Sequence, residues 1–200
     1  ADRTIFASLA IDEPGKIILN GRNALFPAIQ SLEVNQGTLS LQQLRDFTSA
    51  GEFTNEGTLL LGNGSDLNAS GSLQLSPTSY LDLTVGGTTT EQFGQFHPSG
   101  LCELNGTLRV SIENPFHFVD GQSYLIAEGN LRVGEFDTLL LPDLPGDFYF
   151  APVYQPAAMY LEVRIPEPAL PLGFLVNPSL HVEEGDDQPA MTWRVSSPIS

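Results

Sequence analysis

The chain has one cysteine, one tryptophan and two methionines among 200 residues, and only eight basic side chains. Each shortage excludes something. With Cys102 alone there is no internal disulfide framework, and a single thiol in the stretch SGLCELNG reads as a small apolar filler rather than as a reactive group. No run approaches eighteen consecutive apolar residues, so no segment reads as a membrane-spanning helix. Twenty-four acidic residues against eight basic ones, with Lys16 the sole lysine, give a formal charge of −16. Nucleic acids and anionic lipid surfaces are held by neutralising phosphates, so this charge excludes nucleic-acid partners and argues against membrane association.

Catalytic motifs are also missing. There is no HxH, HExxH, GxSxG or GxxxxGK[ST], and the three histidines, His97, His117 and His181, are scattered. The chain is read as non-enzymatic and without a resident cofactor. A polysaccharide hydrolase is the weakest alternative, because carboxylates are plentiful but basic residues to hold an acidic sugar are few. Calcium is the one ion the sequence admits: GNGSDLN at 62–68 and EEGDD at 183–187 put oxygen donors in glycine-containing turns, without EF-hand or nonapeptide spacing. Three Asn-x-Ser/Thr sequons, at Asn63, Asn68 and Asn105, matter only in a host that glycosylates exported proteins.

What the chain does have is a recurring unit. GTLSL at 37–41, GTLLL at 57–61, GSLQL at 71–75 and GTLRV at 106–110 repeat glycine, a small hydroxyl residue and an alternating apolar run. Alternation of period two extends to Tyr80–Val85, Ser123–Ala127 and Met159–Val163, each run bounded by Gly, Asn, Asp or Pro. The pairs Asn20-Gly21, Asn63-Gly64 and Asn105-Gly106 suit tight turns with positive φ. One short helix is expected within residues 40–53, from Leu41, Leu44 and Phe47 at near-helical spacing with Gly51 behind them. The fold class is therefore all-β. A glycine step near 20 residues suggests one coil of a short right-handed parallel β-helix, with a β-sandwich as the alternative. Leu39/Leu41, Leu59/Leu61 and Leu73/Leu75 would form interior ladders, and Leu83 and Leu108 point inward with them.

From Gly71 onward the sequence resembles the terminal β-helix module of bacterial autotransporter-like and adhesin-like exoproteins. The resemblance rests on Gly71–Leu75, Leu81–Gly87, Gly100–Val110, Gly121–Ile126, Gly134–Phe136 and Tyr154–Val163, with FGQF at 93–96 where that pattern carries an aspartate. It implies a β-helix closed by a small sandwich-like end, exported and built for display or assembly, with no catalytic residues. IPEPALPLGFLV at 165–176 resembles the Pro-Glu-Pro sorting segment of the PEP-CTERM class, although Pro171, Asn177 and Pro178 interrupt the apolar run that should follow.

Three spans follow: an N-terminal strand or cap segment at 1–36, a solenoid body at 37–164, and an extended, proline-rich tail at 165–200. The start ADRTIF has no basic or apolar leader, and an initial Ala is what cleavage after a small residue leaves. We therefore expect a secreted or surface-displayed chain whose signal peptide has been removed. The expected role is a subunit of an extracellular fibre, sheath or surface layer that associates with itself by strand exchange through its termini. Ile5, Phe6 and Leu9 at one end, and Leu172, Phe174, Val176 and Trp193 at the other, would make the subunit contacts. The alternative is a monomeric adhesin or carbohydrate-binding module, its partner a surface polysaccharide stacked on Tyr80, Phe93, Phe96 and Trp193.

Overall fold

The computed structural model describes residues 9–24, 26–113 and 116–167. All of them but Glu167 belong to one unit, Ala1–Pro166. Alternating apolar and polar residues bury one face of a strand and wet the other, and here they build three six-stranded sheets. The first, sheet A, holds β1 (Leu9–Ile11), β3 (Leu32–Asn35), β6 (Phe53–Asn55), β9 (Leu73–Leu75), β12 (Leu101–Leu104) and β15 (Leu131–Gly134). Sheet B holds β2 (Lys16–Asn20), β4 (Thr38–Gln42), β7 (Thr58–Leu61), β10 (Tyr80–Val85), β13 (Thr107–Ile112) and β16 (Thr138–Leu140). Sheet C holds β5 (Phe47–Ser49), β8 (Asp66–Ala69), β11 (Gln95–Pro98), β14 (Ser123–Glu128), then β18 (Ala158–Arg164) and, at its edge, β17 (Tyr149–Tyr154). The chain thus visits A, B and C in rotation, and each circuit lays one strand beside its predecessor in parallel.

Register makes the packing explicit. On the inner face of sheet B, Ile17, Leu39, Leu59, Leu81, Leu108 and Leu139 stand in one column, and Leu19, Leu41, Leu61, Leu83 and Val110 in the next. From Leu39 to Leu108 the first column is closed to solvent, and each leucine so buried contributes about 1.5–3 kcal/mol. Sheet C adds a column of Phe47, Leu67, Phe96, Ala127 and Met159. The interior leucines expected at 39, 41, 59, 61, 73, 75, 83 and 108 are all buried.

One expectation about the repeat needs correction. GSLQL at 71–75 lies in sheet A, where Leu73 pairs with Phe53, while the other three glycine units lie in sheet B. The sheet B strand of that circuit is Tyr80–Val85. Along sheet B the partners run Lys16, Thr38, Thr58, Tyr80, Thr107 and Thr138, so circuits of 22, 20 and 22 residues lengthen to 27 and 31. A wider circuit leaves space that leucines alone do not fill. Phe93, Phe116, Phe118, Tyr124 and Phe150 occupy it, with Phe93–Tyr124 and Tyr124–Phe150 edge to face at 5.2 and 5.8 Å.

The helix expected within 40–53 is absent; β4 and β5 occupy that span. Gln43 and Leu44 take φ of 53° and 60°, a left-handed corner between the two strands, which places Leu41 and Phe47 three residues either side of Leu44 and imitates helical spacing. Two short 3-10 turns occur instead, at Pro27–Ser31 and Thr90–Gln92. The first stands where the opening circuit would place a sheet C strand, and Ala50 N–H donates to its Gln30 carbonyl at 2.9 Å. The Asn-Gly turns form as expected, with φ of 87°, 59° and 71° at Gly21, Gly64 and Gly106. Two packed antiparallel sheets, the sandwich alternative, are not what forms. Among the described strand pairs only β14–β18 and β17–β18 run antiparallel.

That hairpin closes one end. The sheet A column Phe53, Leu73, Cys102 ends in Arg132, whose guanidinium lies 5.0 Å from the Tyr154 ring centroid and donates to the Gln155 carbonyl at 2.8 Å. Arg132 N–H donates to Pro156 O at 2.7 Å, so the hairpin turn covers the open side of β15. Near the other end, sheet A buries a column of Ile11, Asn35, Asn55 and Leu75. Its two asparagines are joined by a 2.6 Å bond from Asn35 Nδ2 to Asn55 Oδ1. Asn35 Nδ2 also reaches Thr58 O, and Asn55 Nδ2 reaches Gly57 O and Tyr80 O. They tie the A–B corners of successive circuits together.

Candidate functional site

Of the residues expected to make subunit contacts, Leu9 opens β1 and pairs in parallel with Leu32. Ile5, Phe6, Leu172, Phe174, Val176 and Trp193 lie outside the described residues. EEGDD at 183–187 lies outside them too.

Of the four aromatics of the adhesin alternative, Trp193 lies outside the described residues, and the other three form no joint platform. Phe93, just after the Thr90–Gln92 turn, and Phe96, on the inner face of β11, are buried and cannot stack on a sugar. Tyr80 is 40% exposed on the outer face of sheet B, but its ring is covered by Arg109, whose guanidinium carbon lies 4.4 Å from the centroid. Arg109 in turn grips the Asp82 carboxylate with Nε and one terminal nitrogen, at 2.5 and 2.7 Å. These hydrogen bonds, with burial opposing them, raise the guanidinium pKa further. The pair is half exposed and contributes about 0.2–1 kcal/mol.

Within residues 62–68, Asp66 and Asn68 lie on β8, where Asp66 Oδ2 accepts from Asn68 Nδ2 at 3.2 Å and Oδ1 faces His97 Nε2 at 3.6 Å. Burial raises the Asp66 carboxyl above its usual range, with His97 pulling the other way. Asp46 Oδ1 accepts from Asp66 N–H at 3.2 Å. Among the described residues no three His, Cys, Asp or Glu side chains converge where an ion could sit. Cys102 is buried in sheet A, and burial pushes its thiol up to about 12, with Arg132 opposing. A shallow groove of about 210 Å³ crosses the outer face of sheet A, lined by Glu52, Thr54, Gln74 and Glu103 among others. It is smaller than the roughly 300–1,000 Å³ of ligand clefts. No helix among the described residues is long and apolar enough to cross a membrane.

The remaining candidate surface is the pair of sheet B edges. β2 and β16 each have a single partner strand. The outer column between them runs Ile18, Ser40, Leu60, Asp82, Arg109 and Leu140, and its two ends, Ile18 and Leu140, are 50% and 51% exposed. Sequence reasoning missed these edges. The available signal was KIILN and TLLL, in which aliphatic residues continue where alternation calls for a polar one.

No family model, curated protein or solved structure matches this chain.

Proposed function

We propose that the chain is a parallel β-helix, right-handed as the resemblance implies, and that it serves as a non-enzymatic, exported subunit of an extracellular fibre, sheath or surface layer. The observation that carries this reading is the in-register stacking of sheet B. Its first inner column and its outer column run unbroken through six strands and finish at edge strands with one partner each. A stack of nearly equivalent circuits has a direction, and an edge that is neither paired nor blunted is a template for another strand. Composition supports the location: a polar, acidic, lysine-poor surface suits an exported protein. Self-association is tested by sedimentation velocity and negative-stain electron microscopy over a range of concentrations. Elongated assemblies support the reading, and a monomer throughout removes it.

A monomeric polysaccharide-binding module is the second reading: among the described residues Tyr80 is the one of the four aromatics left partly exposed, beneath the Arg109 guanidinium, and Trp193 lies outside them. A glycan array tests it, and binding lost in Tyr80→Ala would support it.

A further inference from the structure

We infer that copies of this chain join head to tail through sheet B, β16 of one copy pairing in parallel with β2 of the next. The inference rests on the assembly reading above and names its interface.

Four features of the two edges support it. First, neither strand has a partner on its outer side among the described residues, so each presents a row of backbone donors and acceptors. Second, both strands belong to one parallel sheet, so translating a copy along the stacking direction brings its β2 alongside β16 in the orientation every other pair of this sheet already has. Third, the columns match. The inner leucine column starts at Ile17 and stops at Leu139, both only half-buried while every member between them is closed to solvent. The outer column starts at Ile18 and stops at Leu140, each about half exposed. Pairing β16 with β2 sets Leu139 beside Ile17 and Leu140 beside Ile18, so both columns continue across the junction, the inner pair is buried and the outer pair is partly covered. Fourth, exposed Lys16 opens β2 and exposed Arg22 follows it, while exposed Glu135 and Asp137 precede β16 and exposed Asp143 and Asp147 follow it in the chain. Asp12 and Glu13 precede Lys16, so the charge contrast orients the encounter more than it strengthens the contact.

The other sheets behave differently. On sheet A, Pro156 O occupies the outer side of β15 through Arg132 N–H, and on sheet C the outermost strand at the same end is the antiparallel β17. Sheet B is the sheet that offers parallel edges at both ends. Two different surfaces meet, so the contact is heterologous and, without a closing rotation, adds copies indefinitely.

Cross-linking tests the junction. Ile18→Cys and Leu140→Cys are made separately in a Cys102→Ala background, mixed, and oxidised. Adjacent parallel strands put facing Cα atoms about 4.8 Å apart, within disulfide range. The mixture should give a cross-linked dimer that neither variant gives alone. Ile18→Lys or Leu140→Lys should raise the concentration needed for assembly at least about tenfold, with circular dichroism and melting temperature unchanged because both positions are exposed. Assemblies that form without the mixed cross-link, or equal cross-linking in each variant alone, overturn this junction and leave the fibre reading standing. A wild-type chain that never assembles overturns both.

Discussion

Replacing Asn55 by leucine removes three hydrogen bonds at once: the one it accepts from Asn35 Nδ2 at 2.6 Å, and those it donates to Gly57 O and Tyr80 O at 3.1 and 3.2 Å. At about 1 kcal/mol each these sum to about 3 kcal/mol, and one Asn35 amide hydrogen is left buried without an acceptor. Burying a leucine among Ile11 and Leu75 of the same column returns about 1.5–3 kcal/mol, while the unpaired Asn35 amide costs about 1–3 kcal/mol more, so the single variant should be destabilised by about 1–4 kcal/mol. Asn35→Leu removes the bonds to Asn55 and Thr58 but also eliminates Asn35 Oδ1, a buried oxygen that has no partner among the described residues. It should therefore cost less than Asn55→Leu. In the double variant the column becomes aliphatic throughout and no unpaired amide remains. Removing both partners of a buried polar pair is close to neutral, so the double variant should be at least as stable as Asn55→Leu alone. Urea denaturation of the four proteins gives the cycle. A double variant whose loss equals the sum of the two singles would refute the claim that these side chains act as one ladder.

Leu59→Ala should cost about 2–5 kcal/mol in the same assay, because Leu59 is fully buried in mid-column, while Leu60→Ala on the half-buried outer face should cost about 1 kcal/mol or less. Cys102 should resist alkylation at pH 8 in the folded protein and react fully in denaturant, since burial holds its thiol near 12; rapid native labelling would place it at the surface. For Asp66 the folded carboxyl is raised above its ordinary value of 3.8, so its contribution to stability is fully present below about pH 3.8 and is lost as pH rises through the raised value. Relative to Asp66→Asn, the wild type should thus gain stability on acidification through that window, with His97 reducing the gain and Asp46 adding to it. A gain in the opposite direction would contradict the burial that raises it.

Strand identity was legible because period-two alternation is a local property. Thr58–Leu61, Tyr80–Val85 and Thr107–Ile112 form with the boundaries the pattern implies. Which sheet a strand joins is not local. GSLQL has the spacing of its three relatives, yet it lies one corner earlier in its circuit, and nothing within five residues records that offset. Residues 40–53 misled for a related reason, since a left-handed corner at Gln43 and Leu44 sets two inward residues at an interval a helix would also give. Phe93 and Phe96 are buried for reasons that are not local: Phe96 continues the sheet C column of Phe47 and Leu67, and Phe93 fills a widened circuit against Tyr124. The edges at β2 and β16 were readable in principle. Ile18 and Leu140 break alternation at the two ends of one sheet, but recognising them as ends requires the register between them.

Filament geometry tests the assembly most directly. Sheet B contributes six strands per copy, and at about 4.8 Å between strands a head-to-tail assembly with continuous sheet B repeats every 29 Å or so along its axis. Cryo-electron microscopy of the purified full chain at high concentration should show unbranched filaments with that axial repeat and strands perpendicular to the axis. Monodisperse single copies, or assemblies whose repeat bears no relation to six strands, would contradict the account.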